Sequence, residues 1–305
     1  MTALHHVTPL LSHLRLSRAL KKQVWLKMES SQPSGSFKMR GLGLLCQRAA
    51  QRGAQHFVCP SGGNAGFAAA MAGVALGIPT TILVPETTSE QVRAAISATG
   101  AELIVIGAVW DETNLAALAM CRAENAVYIP PFDHPDIWDG NATLIDEVVA
   151  RTKFDVVICS VGGGGLLAGI VQGLQNNGMH NVPVVAVETE GAASFNAAVS
   201  AGKVVTLPEI SSVATTLGAK SVAQRALDLT REHPVFSVTV TDRQALNACV
   251  GFADDLRTLV EPACGAALAV AYQNMEVLHK FKQPLIVVCG GIGVDLNKIN
   301  DWKNQ

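Results

Sequence analysis

From His56 onward the chain alternates short runs rich in β-branched and aromatic residues with longer stretches of helical character. Phe57-Val58-Cys59, Thr80 to Val84, Glu102 to Ile106 and Val127 to Ile129 read as strands, being short apolar runs bounded by turn residues. Between them Ala65 to Leu76, Ser89 to Ala98 and Glu112 to Glu124 read as helices. Alternation of this kind predicts a parallel sheet covered by helices on both faces. A second series runs from strand Val156 to Val161 through helix Leu166 to Gln175 and strand Val184 to Val187. It closes, after a long mixed stretch, on strand Leu285 to Cys289. Two series predict two sheets and two lobes. Val24 to Met28 reads as a further strand that either lobe could take, and Pro130-Pro131 marks a boundary because consecutive prolines remove two donors and stiffen the crossing.

Composition narrows the class without changing this picture. Of the 305 residues 49% are hydrophobic and 16% charged, which suits buried parallel strands and not a disordered or nucleic-acid-binding chain. A net charge of -2 leaves no electrostatic footprint for DNA, RNA or an acidic membrane. No apolar run approaches the ~18 residues of a membrane span, and the N-terminus lacks a signal peptide's charged-then-apolar order, so a cytoplasmic location is expected. The seven cysteines are odd in number and widely spaced, which excludes paired-cysteine zinc and redox motifs and argues against a disulfide framework. His-Glu-x-x-His does not occur, and neither an internal repeat nor a low-complexity tract is visible. Each cysteine reads as a small buried apolar residue, with Cys289 singled out by its position.

Candidate chemistry starts at Ser34-Gly35-Ser36-Phe37-Lys38, where one lysine follows a small, hydroxyl-rich turn and adjoins an aromatic ring. A nucleophilic lysine must be desolvated or set beside another cation, and Phe37 with the run Leu42 to Leu45 would supply the desolvation. The plainer reading is a capped helix start, with Ser36 as N-cap and Lys38 a solvated first-turn residue.

Ligands on open α/β sheets bind beyond the carboxyl ends of strands, and three glycine-rich turns fall there. Ser61-Gly62-Gly63-Asn64-Ala65-Gly66 precedes a helix whose exposed N–H groups would suit a carboxylate or phosphate; a tight turn needing positive φ is the alternative. Gly162-Gly163-Gly164-Gly165-Leu166-Leu167 is the stronger signal, since four consecutive glycines cost entropy that a mere connection does not require. Cys289-Gly290-Gly291 brings a thiol to the same edge. Gly163, Gly165 and Ala168 also fit the loose fingerprint G-x-G-x-x-A, with Glu188 about 20 residues further on, so a nicotinamide dehydrogenase competes. That reading leaves Lys38 and the Asn64 turn without a role. Together the chain offers an amine nucleophile, a turn sized for one phosphate, a second turn for a carboxylate and a neutral weak donor, which is the set that pyridoxal phosphate needs.

With these residues in view the sequence resembles the serine and threonine dehydratases among the fold-type II pyridoxal-phosphate enzymes, the tryptophan synthase β-subunit-like group. The likeness spans Thr8-Pro9-Leu10, Pro33 to Gly41, Ser61 to Gly66, Pro131-Phe132-Asp133, the tetraglycine turn, Glu261-Pro262-Ala263 and Val288 to Gly291. It is strongest for the short, catabolic L-serine dehydratase type with its serine dehydratase-like relatives. The resemblance implies an α/β fold of two open lobes with parallel-rich sheets. The division expected is a large cofactor domain of residues 1–31 plus 133–305 and a small domain of residues 32–132.

By the same resemblance Lys38 is the Schiff-base lysine, Phe37 packs on one ring face, and Asn64 hydrogen-bonds the 3-hydroxyl. Gly162, Gly163, Gly164, Gly165 and Leu166 hold the phosphate, and Cys289 faces the ring nitrogen. A thiol is a weak donor, so that nitrogen would stay largely unprotonated, favouring prompt β-elimination over racemisation. Substrate carboxylate would rest on Ser61, Gly62, Gly63, Asn64 and Ala65, with Lys38 as base and Ser61 as proton relay. Glu188 then joins a monovalent-cation site, for potassium, with Ser194 and carbonyls of Gly162, Ala192 and Leu217. Two departures bear on substrate and rate: Gly62 and Thr216 stand where some serine dehydratases carry alanine. Glu261-Pro262 marks the family, while as chemistry it reads as a helix start with proline first.

The activity implied is elimination from L-serine to pyruvate and ammonia, with L-threonine giving 2-oxobutanoate, by a homodimer. Threonine dehydratase, serine racemase and the β-replacing synthases are the near alternatives, the last usually carrying Asp where this chain has Met39. NAD-dependent dehydrogenase and an amino-acid-binding regulatory protein are the distant ones. The short tail beyond Gly291 reads as too small for a regulatory domain, so hyperbolic kinetics indifferent to isoleucine are expected.

Overall fold

The computed structural model describes residues 2–304. Among the described residues ten strands occur: β1 Leu10–Ser12, β2 Trp25–Lys27, β3 Phe57–Cys59, β4 Thr80–Val84, β5 Glu102–Val105, β6 Val127–Tyr128, β7 Val156–Ser160, β8 Val184–Thr189, β9 Val235–Val240 and β10 Pro284–Val287. Six of them form one sheet in the order β1-β2-β10-β7-β8-β9, and four form another in the order β5-β4-β3-β6. Every pairing is parallel except β1 on β2. The centre of the larger sheet is apolar across its width, with Ile286 of β10 opposite Leu26 on one side and Ile158 on the other. Strands β4, β7 and β8 are buried at every position, as expected where helices cover both faces.

The expected elements are present with boundaries moved by a residue or two. The early strand, β2, belongs to the larger sheet. Two strands were not foreseen. β1 is three residues long and largely exposed, giving no burial pattern to read. β9 is the far edge of the sheet and only half-buried, and it hides in the long mixed stretch although Val-Phe-Ser-Val-Thr-Val follows Pro234. The last strand stops at Val287, so Cys289 lies in the turn beyond it.

Helix Lys38–Gln51 joins the two halves by crossing helix Pro135–Val149 at very short range. A Cβ on Gly41 would come within 2.6 Å of Ile137 Cγ2, and one on Gly140 within 2.4 Å of the Arg40 carbonyl oxygen. The crossing is pinned by a buried ion cluster. Arg40, with no exposed surface, donates to Glu29 at 2.6 and 2.8 Å and to Glu147 at 2.7 and 2.9 Å. Lys27 donates to the same Glu147 and to the Thr8 carbonyl. Two cations and two carboxylates balance, which is the condition under which charge can be buried without a large penalty. The first turn of the Lys38 helix is therefore held against β2 and the N-terminal segment.

Candidate active site

Lys38 opens its helix, but not as the capped start that local sequence allows. The N-cap is Phe37, which has no capping side chain, while the Ser36 hydroxyl is buried without a partner. Backbone contacts lock this turn to the one after β10: Phe37 N–H donates to the Cys289 carbonyl at 3.1 Å, Gly291 N–H to the Gly35 carbonyl at 2.9 Å, and Ser36 bridges Gly290. The left-handed φ of Gly35 (67°), Gly290 (82°) and Gly291 (133°) makes glycine necessary in this double turn. Lys38 Nζ reaches across to donate to the Pro131 carbonyl at 2.6 Å and lies 5.2 Å from the centre of the Phe37 ring. The residue keeps some surface, yet its amine end is enclosed. Burial pushes its pKa down from 10.5 to about 8, against weaker opposing effects of Cys59, Cys289 and Glu261. It is thus a partly desolvated amine and not a solvated lysine.

The tetraglycine turn joins β7 to helix Gly165–Asn176. Three of its carbonyls are occupied: Gly163 accepts from Ala223 N–H, Gly164 from Ala168 N–H and Gly165 from Asn141 Nδ2. Among the described residues the N–H groups from Gly162 to Leu167 have no protein acceptor, which leaves a fan of donors at a helix N-terminus. The glycines also have packing reasons. A Cβ on Gly163 would fall 2.3 Å from the Phe132 ring, one on Gly165 2.5 Å from the Phe132 carbonyl, and Gly164 has φ 92° against Ala226. The cradle fits a single phosphate, and no side chain could be added to it without displacing a neighbour.

The Asn64 turn follows β3 and starts helix Asn64–Leu76, again with no capping side chain. Asn64 is fixed at both ends of its amide. Its Oδ1 accepts from Ile292 N–H at 2.9 Å, and its Nδ2 donates to Glu261 Oε1 at 2.6 Å. Ser61 Oγ accepts the Gly63 N–H at 3.4 Å. Gly62 is crowded by Thr88, whose Oγ1 would lie 2.4 Å from a Cβ placed there. Thr216 is bonded to Glu261 Oε1 at 2.6 Å, so Glu261 reaches both Asn64 and Thr216. The sequence marks Glu261-Pro262 as a family feature and, as chemistry, as a helix start; it does not foresee a buried carboxylate that bonds Asn64 and Thr216.

Cys289 is 6% exposed, and the neighbouring Cys264 thiol and burial push its pKa well up, so it stays a neutral thiol. Glu188, at the end of β8, is fully buried and accepts Phe195 N–H at 2.8 Å and Asn196 N–H at 2.7 Å, with burial pushing its pKa up to about 7. A carboxylate so enclosed cannot reach a ribose, which removes the dinucleotide reading of the G-x-G-x-x-A match. Beside it the Ser194 hydroxyl is buried with no partner, Ala192 is buried, and Gly162 lies close to Leu217, whose carbonyl oxygen would be 3.1 Å from a Cβ on Gly162. The pairing of β7 with β8 sets Ser160 opposite Val187, with Val161 N–H donating to the Val187 carbonyl at 2.8 Å, so the tetraglycine turn and Glu188 leave the sheet from adjacent strands.

A desolvated lysine, an unpaired N–H fan, a fixed carboxamide and a neutral thiol at one seam define a site for an anionic aldehyde cofactor, and comparison with known proteins agrees. Residues 1–290 match the family model described as pyridoxal-phosphate dependent enzyme, and the chain belongs to that family. Within it, the chain is 48% identical to the Serine dehydratase-like protein of Rattus norvegicus, covering 99% of this chain and 94% of that one. It is 47% identical to the human L-serine dehydratase/L-threonine deaminase, covering 99% and 95%. Among solved structures, a fungal L-serine ammonia-lyase from Rhizomucor miehei superposes with a TM-score of 0.95 at 38% identity, covering 100% of this chain and 99% of the other.

Proposed function

We propose that this protein catalyses pyridoxal-phosphate-dependent α,β-elimination of L-serine, and of L-threonine, releasing ammonia with pyruvate or 2-oxobutanoate. The observation that carries the reading is the amine of Lys38, desolvated by burial next to Phe37 and aimed across the seam at Pro131, together with a row of backbone N–H donors that have no protein acceptor among the described residues. The named activities of the similar rat, human and fungal proteins support serine and threonine as substrates. When bound, pyridoxal phosphate supplies an electron sink for the pair left behind by a departing α-proton.

The chain's own groups divide the remaining work. Gly162 to Gly165 and Leu166 hold the phosphate through backbone N–H groups, Phe37 covers one ring face, and Asn64 meets the 3-hydroxyl. The N–H groups from Ser61 to Ala65 take the substrate carboxylate at the positive end of a helix. Lys38 Nζ removes the α-proton; with a pKa near 8 a useful fraction is neutral close to physiological pH, which an ordinary lysine would not offer. Ser61 Oγ relays a proton near the α-carbon as the β-hydroxyl leaves. Cys289 meets the ring nitrogen as a neutral thiol and does not protonate it.

Glu188, Ser194 and the carbonyls of Gly162, Ala192 and Leu217 form a potassium site, a reading supported by the unpaired Ser194 hydroxyl. The domain division is residues 1–31 with 133–305 against residues 32–132, and the working unit is a cytoplasmic homodimer. No helix among the described residues is long and apolar enough to cross a membrane. Purified protein tests the central reading: lysine-bound pyridoxal absorbs near ~410–420 nm, and L-serine should yield ammonia. Absence of the band, or a band that survives Lys38→Ala, refutes it.

A further inference from the structure

Glu261 precedes helix Pro262–Tyr272 and is 2% exposed, yet its side chain does not cap that helix. Its carboxylate instead accepts three hydrogen bonds. Oε1 takes Asn64 Nδ2–H and Thr216 Oγ1–H, both at 2.6 Å, and Oε2 takes Gly293 N–H at 3.3 Å. Asn64 Nδ2–H and Gly293 N–H can only donate and the Thr216 hydroxyl is placed to donate too, a partner set that suits an ionised acid. Space for the carboxylate exists because residue 291 is glycine, where a Cβ would fall 2.0 Å from Glu261 Cδ. The Gly293 peptide is held at both ends, since Lys298 Nζ donates to its carbonyl at 2.7 Å.

The groups that face this carboxylate are few. Lys298 is the nearby cation, and Lys38, Cys249 and Cys289 also feel its charge. Burial pushes its pKa up, while Thr216, Asn64, Gly293 and Lys298 pull it back down. The consequence lies at Asn64. One Nδ2–H is committed to Glu261 and Oδ1 to Ile292, so the amide cannot flip, and the second Nδ2–H has no protein acceptor among the described residues.

We propose that Glu261 is a positioning residue: as a carboxylate it holds the Asn64 carboxamide and the Thr216 hydroxyl so that the free N–H of Asn64 is presented to the 3-hydroxyl oxygen of pyridoxal. This rests on the proposed reading of the site as a pyridoxal pocket. Glu261 acts through Asn64 and touches neither substrate nor cofactor.

The experiment titrates pyridoxal phosphate into the apo-forms of the wild type, Glu261→Gln, Glu261→Ala, Asn64→Ala and the Glu261→Ala/Asn64→Ala pair, following the band near ~410–420 nm across pH. Glu261→Ala should weaken cofactor binding about tenfold, whereas Glu261→Gln, which keeps the Oε1 acceptor, should lose about two- to threefold. Adding Glu261→Ala to Asn64→Ala should cost less than about twofold more, because the group through which Glu261 acts is already gone. Wild-type affinity should fall as pH drops through the protonation of Glu261, and the Glu261→Gln protein should be flat there. If Glu261→Ala does not fold, Glu261→Gln in the wild-type and Asn64→Ala backgrounds gives the same comparison. Losses that multiply in the double variant, a Glu261→Ala protein within twofold of wild type, or an identical pH response in Glu261→Gln would overturn the role. A wild type with no band at all would instead overturn the pyridoxal reading.

Discussion

Replacing Lys38 with methionine keeps most of the unbranched stem and deletes the amine. Ammonia release from L-serine should fall at least about a hundredfold, since in the proposed mechanism the residue is both the cofactor's attachment point and the general base. The same change should make the apoprotein more stable at pH 7. The amine is held near pKa 8 against its ordinary 10.5, and at ~1.4 kcal/mol for each tenfold this amounts to about 3 kcal/mol opposing the charged form. The bond that the neutral amine makes to the Pro131 carbonyl is lost as well, at about 1 kcal/mol, so deletion should gain about 2 kcal/mol. Its pH dependence fixes the sign. Between about pH 8 and 10.5 the unfolded wild type binds a proton that the folded protein does not, so wild-type stability rises through that window. The methionine variant lacks this rise, and above the window the order of stabilities reverses. Urea unfolding of both apoproteins at pH 7 and at pH 10.5 measures this. A variant less stable than wild type by more than ~1 kcal/mol at pH 7, a difference indifferent to pH, or activity within tenfold would refute the reasoning.

Gly163→Ala would drive a methyl into the Phe132 ring, so we expect loss of about 1–3 kcal/mol in unfolding stability together with weaker cofactor retention; an unchanged midpoint refutes it. If Glu188 holds the proposed potassium ion, then with its pKa near 7 the ionised fraction falls about tenfold from pH 8 to pH 6 and the potassium concentration for half-activation should rise accordingly. A half-activation value constant over that range would separate Glu188 from the cation. Cys289→Ser should retain cofactor and alter the elimination rate with little racemisation gained, measured as pyruvate against D-serine; complete loss of cofactor would make the thiol a core residue only.

The parts of the site legible in the sequence were those whose chemistry is local. Four consecutive glycines after a buried strand announce a backbone cradle, and Lys38 behind a flexible turn announces an amine worth testing. What local reading did not reach was the reason for each glycine, since Phe132 and Ala226 come from distant segments. Glu261 was opaque because Glu-Pro is an ordinary helix start, and its partner Asn64 lies 197 positions away. The Glu188 ambiguity was intrinsic: a ribose-binding acid and an acid turned onto the next helix's N–H groups occupy the same strand end, and only burial separates them. At the level of fold, fully buried strands were found because both faces are apolar, whereas the half-buried edge strand β9 lacked that contrast.

The contact between Gly62 and Thr88 has a historical meaning as well as a steric one. A methyl at position 62 would meet Thr88 Oγ1 at 2.4 Å, Cγ2 at 2.8 Å and Cβ at 3.2 Å, so only the rotamer that turns the threonine's Cβ hydrogen toward it relieves the two shortest contacts. The two positions cannot then drift independently. Alanine at 62 requires residue 88 to be turned or shortened, so a change at 88 opens position 62 to it. Substitution order, not only substitution identity, is written into this corner of the turn.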